Sequence, residues 1–370
     1  MAQQDYGRRF RPREWLFKKP WYRGRMRFNS GILIPSLFLL LLATASLYSL
    51  PRLSAEHAVA CKACHINPNG GGARNEFGNH SVAFHELCLP QTKKLLEKRF
   101  NRPRLSESIL IGFDSRYLLH ESGHLFRMQT DAFVTFEPFK EFYYHFRFWE
   151  NGVNENYALF YLDEQKYYIK AGRFAPAYGL RMDDHKSFVR ERLGFGSNFY
   201  RDGLSLGADI KGTNFVGEIF IPENRLVYTM HIFRPGYLNP LSYLAGLSAR
   251  FSETINGSTG TYPHTRGIFG GISYDRFTLL GELDIAGKGS DSVLTYASLN
   301  TRIEYGLYLI AEYNFFDPDK HTASGVEEFV RLSLELYPLP YVQLRPSYTY
   351  NTRGILQDED DFFLIFHVGY

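Results

Sequence analysis

Cys61, Cys64 and His65 stand in the run Cys61-Lys62-Ala63-Cys64-His65. Two thiols at this spacing can bond the two vinyl groups of a porphyrin. An imidazole directly after the second thiol can then ligate the iron from one face. The run therefore predicts one covalently attached haem c, with His65 as the proximal ligand of the haem iron. Cysteine is scarce, three in 370 residues, and this makes the pattern specific. A structural zinc site needs a second ligand pair, and no second Cys-x-x-Cys exists. A redox dithiol belongs at the start of a helix in an α/β domain, and no such pattern follows. The third cysteine, Cys88, reads as a buried free thiol, with a ligand or intermolecular role as the alternative.

Haem is attached to such a motif outside the cytoplasm, so an export signal is expected before it. Residues 31–50 form an uncharged run of twenty residues, preceded by a basic stretch from Arg8 to Arg27. This is the order of a signal peptide: positive n-region, then apolar h-region. Ala43, Ala45, Ala55, Ala58 and Ala60 can border a cleavage site, and Pro51 ends a helix. Residues 1–55 are read as the export signal, with Met26 as an alternative start. An uncleaved anchor is the rival, because twenty apolar residues can span a bilayer. Residues 56–104 follow as haem segment and linker, and 105–370 as a separate body.

That body reads as all-β. Its segments of about ten residues alternate apolar and polar side chains, as strands do. Leu332, Leu334 and Leu336 alternate with Arg331, Ser333 and Glu335. Phe142, Tyr144, Phe146 and Phe148 face away from His145 and Arg147. The chain holds 26 Tyr and 32 Phe, and many recur near strand ends as interfacial girdles would. Mean hydropathy is −0.28, which excludes further helical spans beyond the signal. The chain ends in FFLIFHVGY, with Phe362, Leu364, Phe366, Val368 and Tyr370 on one face. The pattern predicts a transmembrane antiparallel outer-membrane β-barrel of about sixteen strands, starting near Ser108 and closing with a strand from Asp361. An even count puts both barrel ends on the periplasmic side, so the haem segment is expected at that mouth or in the lumen.

Between haem motif and barrel there is too little chain for an independent cytochrome domain. Gly70-Gly71-Gly72 either lets backbone approach a flat cofactor or is a plain loop. Residues 91–100 read as a short basic helix and solvated connector; contact with an acidic partner or the leaflet is the alternative. The candidate distal ligands are His80 and His85, nearest in sequence. Met182 and His185 qualify only if the haem lies in the lumen, and an open position is a further alternative. The longest non-alternating stretch, Gly172 to Asp202, is expected outside the cell or folded inward as a constriction. Within it Asp183, Asp184 and His185 could hold a pore cation. Arg173, Arg181, Arg190 and Arg192 could instead attract oxyanions. Mutual charge pairing that stabilises an inward loop explains the same residues without a ligand.

On these residues the chain resembles fused outer-membrane monohaem cytochrome–porins. The best-known members are iron oxidases of neutrophilic and acidophilic bacteria. Their haem motif is followed by an Asn-x-Phe-Gly element, and Asn75-Glu76-Phe77-Gly78 looks like it. The Gly70–Gly72 run departs from that pattern. The segment GRFAPAYGLRMDDH looks more like porin components of extracellular electron conduits, or of selenite and tellurite reduction operons. The resemblance implies electron transfer across the outer membrane in metal or metalloid respiration. It leaves open whether the chain itself acts as a metal oxidase or reductase. Expected partners are periplasmic or extracellular multihaem cytochromes and outer-membrane lipid, and no nucleic acid. A channel for metal ions or oxyanions, with the haem as plug or sensor, is the alternative.

Overall fold

The structure, a computed structural model, describes residues 50–96, 104–149, 152–182, 187–195, 200–222, 225–254, 264–287, 292–322, 324–354 and 360–369. The expected export signal lies outside them up to residue 49.

Alternating side chains let a strand present one face to lipid and the other inward, and here sixteen such strands close on themselves. Among the described residues they are β1 (Ile109–His120), β2 (Leu125–Phe139), β3 (Phe142–Trp149), β4 (Gly152–Leu162), β5 (Tyr167–Phe174), β6 (Arg201–Ile210), β7 (Thr213–Phe220) and β8 (Arg225–Leu238). There follow β9 (Leu241–Thr254), β10 (Thr265–Tyr274), β11 (Phe277–Ala286), β12 (Ser292–Glu304), β13 (Leu307–Asp317), β14 (Glu327–Leu339), β15 (Val342–Arg353) and β16 (Asp360–Gly369). Each pairs antiparallel with the next. The C-terminal β16 closes the barrel on β1, from Phe363 opposite His120 to Gly369 opposite Asp114. A three-residue strand, Arg104–Ser106, precedes β1 and pairs with it. The first and last barrel strands start at Ile109 and Asp360, each one residue from the expected Ser108 and Asp361. On β4 a bulge opposite Arg147 and Phe148 shifts the register with β3.

The two faces sort as expected. On β14, Val330, Leu332 and Leu334 are exposed while Phe329, Arg331, Ser333 and Glu335 are buried. On β11, Phe277, Leu279 and Leu283 point out while Thr278, Glu282 and Asp284 point in. An outer belt of Leu, Ile and Phe around a polar interior is what a lipid-facing barrel requires.

The two rims differ. At one, residues 140–141, 211–212, 239–240, 275–276, 305–306 and 340–341 form two-residue turns. Lys211 and Gly212 both have positive φ, as a tight hairpin turn needs. At the other rim most connections are longer, reaching 175–200 between β5 and β6. In outer-membrane barrels short turns face the periplasm.

The chain before β1 fills the short-turn half of the lumen. Helix α1 (Pro51–His57) buries Arg52, Leu53, Ser54 and Ala55 against the wall. Arg52 bonds Glu335 at 2.6 Å, and its guanidinium lies over the Tyr308 ring at 4.1 Å. Carbonyls that α1 cannot use internally are met by the wall: Tyr237 donates to His57 O at 2.7 Å and Ser242 to Glu56 O at 2.9 Å. Lys62 reaches the short turns, bonding Gln165 O at 3.0 Å and pairing with Asp209 at 2.9 Å. Helix α2 (Pro90–Leu96) occupies the position expected for the basic helix, whose remainder lies outside the described residues. Cys88 is a buried free thiol beside Thr92, as expected.

If the outer belt faces lipid, Leu332→Arg places a charge near its middle and costs about 2–4 kcal/mol. Urea titration of the protein folded in vesicles should show that loss. An unchanged midpoint would mean that this face is not in lipid.

Candidate functional site

The haem motif lies on a small hairpin inside the lumen. A 3₁₀ turn, Cys61–Ala63, is closed by Cys64 N to Cys61 O at 3.1 Å and His65 N to Cys61 O at 3.0 Å. The following residues pair with a return strand: Ile66 N to Ala73 O at 3.1 Å, and Asn75 N to Cys64 O at 3.0 Å. Gly70, Gly71 and Gly72 make the reversal, all with φ between 63° and 79°. Glycine, without a Cβ, takes up three consecutive left-handed conformations at no steric cost. The glycine run is therefore a hairpin turn.

The Asn75–Gly78 element clamps this turn. Asn75 Nδ2 donates to Lys62 O at 3.2 Å and Ala63 O at 3.0 Å, and Oδ1 accepts from Gly78 N at 2.9 Å. A Cβ on Gly78 would stand 2.2 Å from Cys64 O, so only glycine fits against the motif. The wall holds the hairpin from β4, β5 and β7. Tyr161 donates to Ile66 O at 3.3 Å, Tyr168 to Asn69 Oδ1 at 3.2 Å, and Lys170 to Asn67 Oδ1 at 3.2 Å. Asn69 Nδ2 donates to Glu218 Oε1 at 3.4 Å.

Beside the motif is a cavity of about 330 Å³, lined by Cys61, Cys64 and His65. Cofactor sites begin at about this size. Its far wall is apolar, with Leu180, Phe233, Leu244 and Phe269. Phe77 and His85, both exposed, line it too, so it opens toward the short-turn mouth. Burial, and then the Arg74 and Arg181 guanidiniums, push the His65 imidazole down to about 3. It is neutral near pH 7, the form that ligates metal. Burial pushes the Cys61 thiol up to about 11.

Of the candidate distal ligands, His85 lines the cavity and His80 does not. The His80 ring packs beside Phe84, with centroids 5.7 Å apart. His85 is held by Lys93 Nζ at 2.6 Å. Two further histidines line the cavity. His57 ends α1 and faces Glu86 at 3.6 Å. His231, on β8, is buried, bonded through Nδ1 to Ser248 at 2.9 Å and stacked on Phe269. His57 was detectable as the histidine just before the motif. His231 carries no sequence signal, because closure of the barrel alone brings β8 to the cavity.

The long connection after β5 folds inward, as one of its two expected positions required. Its backbone is met mostly by wall side chains, and at Tyr178 O by its own Arg190. Ala177 N bonds Glu218 at 2.7 Å, Gly179 N bonds Ser248 at 2.9 Å, and Leu180 N bonds Glu282 at 2.8 Å. Tyr178 donates to Asp284 at 2.8 Å and Ser187 to Asn314 at 3.0 Å. A short helix, α3 (Phe188–Glu191), buries Phe188 and Val189 in an aromatic cluster with Phe195, Phe329 and Tyr178. The loop tip, Gly179–Arg181, completes the cavity. Asp183, Asp184 and His185 lie outside the described residues. The arginines do not converge. Arg173 pairs with Asp202 at 3.9 Å, Arg190 bonds Tyr178 O at 3.3 Å, and Arg192 pairs with Glu327. Met182 packs on the aromatic cluster and lines a separate cavity of about 90 Å³.

No known family and no curated protein matches this sequence. Solved structures do match by shape. OmpT of Vibrio cholerae superposes with a TM-score of 0.54 at 10% identity, covering 72% of this chain and 99% of OmpT. OprB of Pseudomonas putida, in its high-pH structure, gives 0.51 at 8% identity, covering 71% and 93%. The chain has the fold of an outer-membrane porin barrel. At such identities the likeness concerns the barrel alone, and the stoppered lumen must be read from this chain's own residues.

Gly78→Ala forces the clamp off Cys64. If Cys61 and Cys64 carry haem, haem stain per folded barrel falls several-fold, while the heat-resistant barrel band persists on gels. Equal stain in both proteins would show that the clamp does not position the motif.

Proposed function

We propose that this barrel sits in a bacterial outer membrane, carries one covalent haem c on Cys61, Cys64 and His65, and passes electrons across that membrane in metal or metalloid respiration. The observation that carries this is the cavity itself. Two thiols and a neutral, buried imidazole converge on an apolar-walled space that the hairpin, the loop tip and the wall enclose together. Such a donor set fits the haem, whose thioether bonds consume both thiols and whose iron takes the imidazole.

The haem supplies a one-electron redox centre; the protein sets its burial, ligation and access. Leu180, Phe233, Leu244 and Phe269 exclude water from one side of the cavity. At the mouth, exposed Phe77 and His85 leave a route for an electron partner on the short-turn side. The lipid-facing band of such a barrel is about 25 Å tall, so a single haem in the short-turn half does not cross it. A multihaem cytochrome or a dissolved donor or acceptor must complete the path on the long-loop side. The candidate distal ligands are His57, His85 and His231.

A second reading follows from the porin likeness: a channel for metal ions or oxyanions such as selenite or tellurite, with the haem as plug or sensor. Against it, polar residues on the inner wall are buried beneath the hairpin and the loop, among them Lys170, Glu218 and Asn314. Liposomes loaded with a redox dye separate the two. The electron reading expects an external reductant and a soluble cytochrome to reduce the enclosed dye, and Cys61→Ser to abolish this. Ion flux that survives Cys61→Ser, with no dye reduction in either protein, would establish the channel instead.

A further inference from the structure

Two guanidinium groups, Arg74 buried and Arg181 partly exposed, line the cavity with His65. Arg74 is 4% exposed, and its hydrogen bond goes to the Gly78 carbonyl at 3.4 Å. Arg181 comes from the inward loop, and its Nη1 is buried without a partner. Among the described residues neither forms an ion pair. Both line the cavity on which His65 also opens. A Cβ on Gly71 would stand 2.7 Å from Arg181 Nε, so the glycine turn also makes room for this group.

The surroundings do not neutralise the pair. Glu155 on β4 and Lys170 on β5 both face Arg181 and carry opposite charges. Arg74 faces Asp114 of β1 and the phenols of Tyr337 and Tyr341 beyond contact distance. Burying an uncompensated charge is strongly unfavourable, and two like charges beside one ring add repulsion. An anion in the cavity would remove both costs.

We propose that Arg74 and Arg181 form a cationic clamp for the carboxylate groups of the haem attached at Cys61 and Cys64. This rests on the haem reading above. Guanidinium groups bind carboxylates through forked, charge-assisted hydrogen bonds. The clamp fixes the haem within the cavity from two separate pieces of chain, the hairpin and the inward loop. It also keeps the carboxylates ionised and favours the reduced iron, which carries one positive charge fewer.

The test is a spectroscopic redox titration across pH on haem-loaded protein. The variants are Arg74→Gln, Arg181→Gln, the double variant and Arg181→Lys, each checked for the heat-resistant barrel band and for haem stain. The clamp expects each Gln variant to have a lower midpoint potential than the parent. It also expects the pH inflection of the potential, set by the carboxylates, to move to higher pH, with Arg181→Lys near the parent. A double variant with parental potential and inflection overturns the clamp. A lowered potential with an unmoved inflection also overturns it, because the cations then act on the iron without touching the carboxylates. A second arm titrates selenite or sulfate into haem-free Cys61→Ser/Cys64→Ser protein. Saturable binding that the Arg variants lose assigns the pair to a free oxyanion and overturns the haem assignment. Absence of stain from the parent protein sinks the haem reading itself, separately from the clamp.

Discussion

A closed barrel of sixteen strands encloses more space than its own inward side chains fill. The inner faces here are rich in Glu, Asp, Ser, Asn and Arg, which need hydrogen-bond partners once water is displaced. Two pieces of chain supply both volume and partners. The hairpin and helices before β1 occupy the short-turn half, and the connection after β5 folds in to meet them. Neither has a core of its own. Their backbone N–H and C=O groups bond wall side chains such as Glu218, Ser248, Glu282, Tyr161 and Tyr237. A buried polar group left unmatched costs about 1–3 kcal/mol, so these bonds hold the stopper in one position.

This explains how so short a segment can hold a haem motif. An independent cytochrome domain wraps its cofactor in its own helices. Here the barrel wall lines the cavity beside the motif, contributing Phe233, Leu244 and Phe269 from β8, β9 and β10. The hairpin contributes the thiols and imidazole, held in shape by Asn75 and by three left-handed glycines.

Much of the fold was legible in the sequence because period-two alternation is local: Leu332 and Leu334 against Ser333 and Glu335 declare a strand with two unlike faces. The haem motif is equally local. What could not be read was whatever depends on closure. His231 joins the cavity because barrel closure sets β8 next to β7, which holds the hairpin, and Arg181 lines the cavity because the loop turns inward. The sequence expectation placed the motif at the mouth or in the lumen, and both descriptions apply. Lys62 is tied to the short turns, while His65 is buried behind them. Of the two nearest histidines after the motif, His85 lines the cavity, whereas His80 packs beside Phe84. Asn75 and Gly78 were recognised by resemblance, and their physical role as a clamp on the motif emerged only from the hydrogen bonds.

The central claim is that Cys61 and Cys64 hold a haem inside a porin-type barrel. It is tested most directly by intact-mass spectrometry of protein purified from outer membranes of cells that mature c-type cytochromes. The account expects a mass increment of one haem, mapped by proteolysis to the peptide carrying both cysteines. Protein of unmodified mass, with both thiols free to react with an alkylating reagent after unfolding, would contradict it.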